Sequence, residues 1–322
     1  MNIHIKTAKQ STKSHQIIFF TLAGLILASI VTIILIATNQ DQATHISHKP
    51  VIIWDLGGVA LQTNRKKAVP VIGAGVGAAR WLAYSLLGHG FHPANAQKAA
   101  FEFMDWRRGN PPQTSAKNGD LPLPLDMREV MKGITIPSEV AESVCKDCDR
   151  HTDYFVENYK SNNSAREMIK GIIRCLLPEN LIKIQEVNPE VLELIRACKK
   201  ANNCKLLILS NWDKESCDRL IADKPELFEN FERDNIIFSG KTGFMKPEPE
   251  IYNYVTDKFN LDPADCILID DQPENIAGAQ AAGWVNSFVH TDAENTKAEL
   301  IKLGVISNPE STVNSKQIIT VN

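Results

Sequence analysis

Positive charge is not in surplus in this chain: 35 lysines and arginines stand against 38 acidic residues, a formal net charge of −3. Bulk electrostatic binding to nucleic acid is therefore not expected. Cysteine is sparse too. The seven residues Cys145, Cys148, Cys175, Cys198, Cys204, Cys217 and Cys266 are odd in number and lack the spacing of a small disulfide scaffold. Cys145-x-x-Cys148-x-x-His151 has the form of half a zinc site, but its second half is missing. The cysteines are expected as small buried apolar residues, with a Cys145–Cys148 disulfide as the other reading. From Ile17 to Thr38 charge is missing altogether. As a helix this run would cover roughly 30 Å, the hydrocarbon core of a bilayer. It exceeds the apolar region of a secretory signal, about 7–15 residues, and offers no good small-x-small cleavage site. Lys6, Lys9 and Lys13 precede it, and Asn39 to His48 holds no Lys or Arg. The expectation is a single uncleaved transmembrane helix over 17–38, with a basic cytoplasmic segment 1–16 and the remainder on the non-cytoplasmic side.

What the chain does have is a series of short apolar runs that stop at polar residues. Val51-Ile52-Ile53-Trp54 stops at Asp55, and Lys205-Leu206-Leu207-Ile208-Leu209 stops at Ser210. Ile236-Ile237-Phe238 stops near Ser239-Gly240, and Cys266-Ile267-Leu268-Ile269 at Asp270-Asp271. Ser287-Phe288-Val289 reads as a last strand. Continuous apolar runs with β-branched residues suggest strands buried on both faces of a parallel sheet. Helical patterns lie between them. Asn188-Pro189 is an N-cap followed by proline at the first helical position. Val191, Leu194, Ile195 and Cys198 fall on one helix face, and Ile251, Val255 and Phe259 on another. Asn275 to Ala282 is a third helix, with Gly283 placed to stop it in the left-handed conformation. Alternating strands and helices predict an α/β fold, a doubly wound parallel sheet built from residues 50–62 and 188–305. Residues 63–187 read as a helical insertion, 39–49 as a linker, and 306–322 as a disordered tail.

In such sheets ligands bind at the carboxyl ends of the strands. Asp55 begins Asp55-Leu56-Gly57-Gly58-Val59, a carboxylate in a tight turn whose glycines let backbone amides approach an anion. Ser210-Asn211 can donate hydrogen bonds to a phosphate. Lys246, in Met245-Lys246-Pro247-Glu248-Pro249, can neutralise charge on a nucleophile and a phosphoryl group. Asp270-Asp271 offers hard oxygen ligands suited to Mg²⁺. Each has a bland alternative: a helix cap, a solvated charge, a turn. All four together are much harder to explain that way.

These four segments, in this order, resemble the motifs of the haloacid dehalogenase-like hydrolase superfamily. Val51 to Val59 is similar to its first motif, Leu207 to Asn211 to its second, Gly243 to Pro249 to its third and Ile267 to Asn275 to its fourth. The resemblance implies a Rossmann-like core carrying a helical cap, here residues 63–187. It implies Mg²⁺ as cofactor and a small-molecule phosphate ester, such as a sugar phosphate, as substrate. Asp55 would be the nucleophile. Asp55, the backbone carbonyl of Gly57 and Asp271, supported by Asp270, would hold the metal. Gly58, Ser210, Asn211 and Lys246 would hold the phosphoryl oxygens. One departure stands out. The family's phosphatases usually carry a second Asp two residues after the nucleophile as general acid and base, and that position is Gly57 here.

Two rivals follow from the same residues. A dehalogenase would use Asp55 against a carbon–halogen bond and needs no metal. A non-catalytic binding protein of the same fold would explain the missing acid at Gly57. Gly73-Ala74-Gly75-Val76-Gly77-Ala78, after Val71-Ile72, matches a dinucleotide fingerprint but lacks a surrounding βαβ unit, so no nucleotide cofactor is expected. The apolar stretch from Val69 to Leu87 holds Arg80 in its middle and reads as a cap helix rather than a second span. Arg65-Lys66-Lys67 and Arg107-Arg108 read as solvated charges, or as the lining of an anionic site.

Overall fold

Val51 to Trp54, a continuous apolar run, forms the middle strand of the sheet. The computed structural model describes residues 49–73, 96–110, 123–159 and 162–308. Strand β1 (Val51–Trp54) is buried at every residue. On one side it pairs in parallel with β4 (Lys205–Ser210), and on the other with β6 (Cys266–Asp270). Strands β5 (Ile236–Phe238) and β7 (Phe288–Val289) add the two edges, also in parallel, in the order β5-β4-β1-β6-β7. Alternate residues of the three central strands, such as Ile53, Leu207 and Leu268, belong to one core cluster, and the intervening Ile52, Ile208 and Ile267 are equally buried. Burial on both faces is why these strands read as continuous apolar runs rather than alternating ones.

Two further strands carry the chain out of the sheet and back. β2 (Leu61–Thr63) pairs antiparallel with β3 (Gln185–Val187), Leu61 opposite Val187. Between them lie helices α1 (Arg65–Gly73), α2 (Ala96–Arg107), α3 (Leu125–Met131), α4 (Pro137–Arg150), α5 (Thr152–Tyr159), α6 (Asn162–Arg174) and α7 (Pro178–Ile184). Helices α2 to α6 share their own core, centred on Phe103, Met104, Val144, Phe155 and Ile169. After β3 the helices are α8 (Pro189–Ala201), α9 (Cys217–Asp223), α10 (Pro225–Phe228), α11 (Ser239–Thr242), α12 (Pro249–Phe259), α13 (Pro273–Ala281) and α14 (Ala293–Lys302). Helix α8 starts where its cap was expected: Asn188 accepts hydrogen bonds from the amides of Glu190 and Val191 at 3.2 and 3.5 Å. Gly283, just beyond α13, takes φ +93°, the conformation expected of it.

Several expectations are settled or narrowed. Arg107 does not line a site or face solvent. It is buried and paired with Asp126 and Asp147 at 2.5 and 2.8 Å, while Arg108 pairs with Glu129 at 3.0 Å. A cation in a dry helical core needs such partners. Lys67 pairs with Glu186 of β3 at 2.8 Å. Val71 and Ile72 lie in α1, not in the strand a dinucleotide fingerprint requires, and the residues after Gly73 lie outside the described residues. All seven cysteines are free thiols, five of them buried, and Cys145, Cys148 and His151 form no metal-ligand group. Residues 1–48 lie outside the described residues, with the span expected over 17–38 among them. So do residues 309–322 of the tail. Among the described residues no helix is long and apolar enough to cross a membrane.

Candidate active site

The register of the sheet makes the site. Trp54 lies opposite Ile208 of β4 and Ile269 of β6, so the next residue of each chain emerges at one rim. Asp55 is anchored there by its amide, which donates to the carbonyl of Ile269 at 3.0 Å. Asp270 leaves β6 beside it, and Ser210 ends β4, buried. Turn geometry then shapes the loop after β1: the amide of Gly58 donates to Leu61 at 2.9 Å. Gly58 has φ +79°, and a Cβ there would fall 2.2 Å from Oδ2 of Asp271. Glycine is required twice over, by the backbone and by the carboxylate lying against it. Gly57 is different, since nothing lies within 4 Å of where its Cβ would be.

Lys246 reaches into this rim from the loop before α12, and its side chain is only 1% exposed. Its Nζ donates to Asp55 Oδ1 at 2.8 Å, to Asp270 Oδ2 at 2.5 Å and to the Leu209 carbonyl at 2.8 Å. Three acceptors account for the three N–H bonds of an ammonium. Asp270 is equally occupied, because its Oδ1 accepts from the Gln272 amide and from Asn275 Nδ2, both at 2.9 Å. Asp271 accepts from Gln272 Nε2 at 3.2 Å and is half-buried. Asn211 turns to the main chain of Lys246, accepting from its N–H at 2.9 Å and donating to its C=O at 2.8 Å.

Carboxylate oxygens of Asp55, Asp270 and Asp271 lie within 4.8 Å of one another. Three carboxylates face one ammonium, so ionisation of all three leaves two negative charges uncompensated in a largely buried site. Burial therefore pushes Asp55 up to about 6, against the pull of Lys246. Burial and then the neighbouring Asp270 raise Asp271. Burial works against the charge on Lys246, but Asp270 and Asp55 outweigh it and hold the ammonium above its ordinary range. Hard oxygen donors with an excess of two negative charges fit a divalent cation of the Mg²⁺ type.

The four sequence segments thus meet at one rim. Asp55, Lys246, Asp270 and Asp271 are brought together, with Gly58 beneath Asp271 and Ser210 at the neighbouring strand end. Gln272 and Asn275, which orient the two acidic side chains, were not singled out from the sequence. The only signal they carried was their position within the fourth motif.

A family model described as haloacid dehalogenase-like hydrolase matches residues 50–283. The chain therefore belongs to the haloacid dehalogenase-like hydrolases. It is 30% identical over 146 residues to the bifunctional epoxide hydrolase 2 of Mus musculus, a match covering 42% of this chain and 26% of that enzyme. The chain thus spans about a quarter of that relative's length. It is 26% identical over 161 residues to a phosphorylated carbohydrates phosphatase of Thermotoga maritima, covering 49% of this chain and 68% of that protein. Among solved structures, an HAD-family enzyme from Bacteroides thetaiotaomicron in complex with magnesium and inorganic phosphate is 17% identical. That match has a TM-score of 0.40 and covers 74% of this chain and 93% of the other.

Proposed function

We propose that this protein is a Mg²⁺-dependent phosphohydrolase that cleaves small phosphate monoesters, sugar phosphates among them, through a phosphoryl group carried on Asp55. The observation that carries the reading is the state of Asp55. One carboxylate oxygen is held by Lys246 at 2.8 Å, while Asp270 and Asp271 bring carboxylate oxygens within 4.8 Å of an oxygen of Asp55. The phosphatase of Thermotoga maritima supports the substrate class.

In this reading the carboxylate oxygen of Asp55 not held by Lys246 attacks phosphorus in line, the bond to the ester oxygen breaks, and the leaving group departs as an oxyanion that takes its proton from water. Water then attacks phosphorus, releasing inorganic phosphate and restoring the carboxylate. Lys246 holds the nucleophile in place through one carboxylate oxygen. Ser210 and the amide of Gly57 are the groups offered to the phosphoryl oxygens in this reading, because the Gly58 amide expected to help is committed to the Leu61 carbonyl. Asp55, Asp271 and the Gly57 carbonyl would hold the Mg²⁺, with Asp270 in support, and the bound ion would supply charge neutralisation for the anionic phosphoryl group. Gly57 supplies no proton, so the leaving group must be good or the acid must come from the helical segment. A dehalogenase would use the same carboxylate without a metal, which leaves Asp271 without a task.

The same proposal includes anchorage through residues 17–38, with the hydrolase on the non-cytoplasmic side. It rests on the charge-free run and the lysines before it. Phosphate release from aryl and sugar phosphates by the full chain, with Mg²⁺ and with a chelator, beside Asp55→Asn, tests the chemistry. Activity that survives chelation would overturn it. Carbonate-resistant membrane association of the full chain tests the anchor.

A further inference from the structure

Lys246 is gripped at both ends by the same strand terminus. Its ammonium donates to the carbonyl of Leu209, next to last in β4. Its main chain is held by Asn211, the residue that follows β4, which accepts from the N–H of Lys246 at 2.9 Å and donates to the C=O of the same residue at 2.8 Å. A carboxamide is the one short side chain that presents an acceptor and a donor side by side, so it can mimic the pairing of a β-ladder. Asp lacks the donor, Ser lacks the reach for both, and Gln is longer by a carbon. The contact matters because a lysine stem has four rotatable bonds and about 2 kcal/mol of rotamer entropy. An ammonium on such a stem stays between two carboxylates only if its backbone is fixed as well. Asn211 thus spends its oxygen on the Lys246 amide and one N–H on the Lys246 carbonyl, which commits the side chain to the Lys246 main chain on both its edges.

We infer that Asn211 is a positioning residue that acts on the reaction through Lys246, by clamping the Lys246 main chain so that its ammonium bridges Asp55 and Asp270. This deepens the phosphohydrolase reading and rests on it for its kinetic consequence, but the clamp itself is a structural claim. It differs from a role in which Asn211 grips the phosphoryl oxygens directly.

A double-mutant cycle separates the two. In the full chain with Mg²⁺, Asn211→Ala should lower kcat/KM on p-nitrophenyl phosphate by about 10²-fold, the scale of a 1 Å misplacement in a site. In the Lys246→Met background the same substitution should cost no more than about twofold, since its route to the chemistry is already gone. If Lys246→Met leaves no measurable turnover, the cycle is read on the affinity for inorganic phosphate by calorimetry. The clamp also has a readout that needs no turnover. Amide hydrogen exchange at Lys246 should rise at least about tenfold in Asn211→Ala, as expected when a protecting bond is lost to local opening, while β1 and β6 keep their protection. Additive effects of the two substitutions, or unchanged exchange at Lys246, would overturn the inference. A wild-type protein that releases no phosphate from any ester would instead sink the phosphohydrolase reading, and the exchange measurement would still decide the clamp.

Discussion

Asp55 is the residue whose environment has the largest measurable consequence. Burial pushes its carboxyl from the ordinary 3.8 up to about 6. A folded-state value above the unfolded one means that the native protein binds this proton more tightly. The stability it contributes is fully present below about pH 4 and is lost as pH rises through about 6. In the absence of a divalent cation, Asp55→Asn should therefore be more stable than wild type at pH 7.5, by on the order of 1–2 kcal/mol. At pH 4 the advantage should vanish. Saturating Mg²⁺ should raise the wild-type midpoint in thermal unfolding and raise the Asn variant's less. A variant that is less stable at pH 7.5, with no response to Mg²⁺ in either protein, would contradict the charge balance described here.

Gly57 sets a second residue-scale expectation. Nothing lies within 4 Å of a Cβ built at this position, so an added side chain has room. Placing an acid there supplies the proton that an alkoxide leaving group needs, help typically worth about 10²–10⁴-fold. Gly57→Asp should raise turnover of alkyl phosphates at least about tenfold and leave aryl phosphates, whose leaving groups need no proton, within about twofold. Equal effects on both ester classes would show that a missing acid does not limit the enzyme. Gly58 allows no such change, because its φ of +79° and the Asp271 carboxylate both exclude a side chain.

At the scale of elements, the contacts between the helical segment and the sheet side are few and specific. Glu215 accepts from the Ser138 hydroxyl at 2.9 Å and from its amide at 3.4 Å, at the start of α4. Glu248 takes Lys132 at 2.6 Å and Arg128 at 3.4 Å, next to α3. Between these two grips, Gly133 has φ +67°, and a Cβ on it would fall 2.1 Å from the carbonyl of Gly240. Gly133→Ala should thus cost about 1–3 kcal/mol in backbone strain and overlap. It should also raise hydrogen exchange in α3 and the first turn of α4 while β1, β4 and β6 stay protected. Uniform loss of protection, or none, would show that these contacts do not hold the two parts together.

The elements differ in how far the sequence revealed them, and the reason is burial. β1, β4 and β6 are apolar on both faces, so their runs and their polar ends could be read directly, and with them Asp55, Ser210 and Asp270. The Asn188 cap and the Gly283 stop were legible because each is a local backbone requirement. β2 and β3 were not legible: Gln62-Thr63 and Gln185-Glu186 are short and polar, and they pair across more than a hundred residues. Arg107 looked like a surface charge because its partners, Asp126 and Asp147, are distant in sequence. The Asn211 clamp was hidden for the same reason, whereas Gln272 and Asn275 stand beside their partners and nothing but side-chain orientation sets them apart within the motif. A motif shows which residues meet, but not which of their hydrogen bonds are already spent on each other.

At the scale of the whole molecule, a chain of net charge −3 gathers three carboxylates and one ammonium at a single rim of a five-stranded sheet. That concentration of charge is what a divalent cation and a phosphoryl group would relieve. Acid quenching of the full-length enzyme during turnover of an aryl phosphate with Mg²⁺, followed by peptide mass spectrometry, tests this most directly. A hydroxylamine-sensitive phosphoryl group on Asp55, absent from Asp55→Asn, is the expected result. Sustained turnover with that carboxylate unlabelled, or with the label on another residue, would contradict the account.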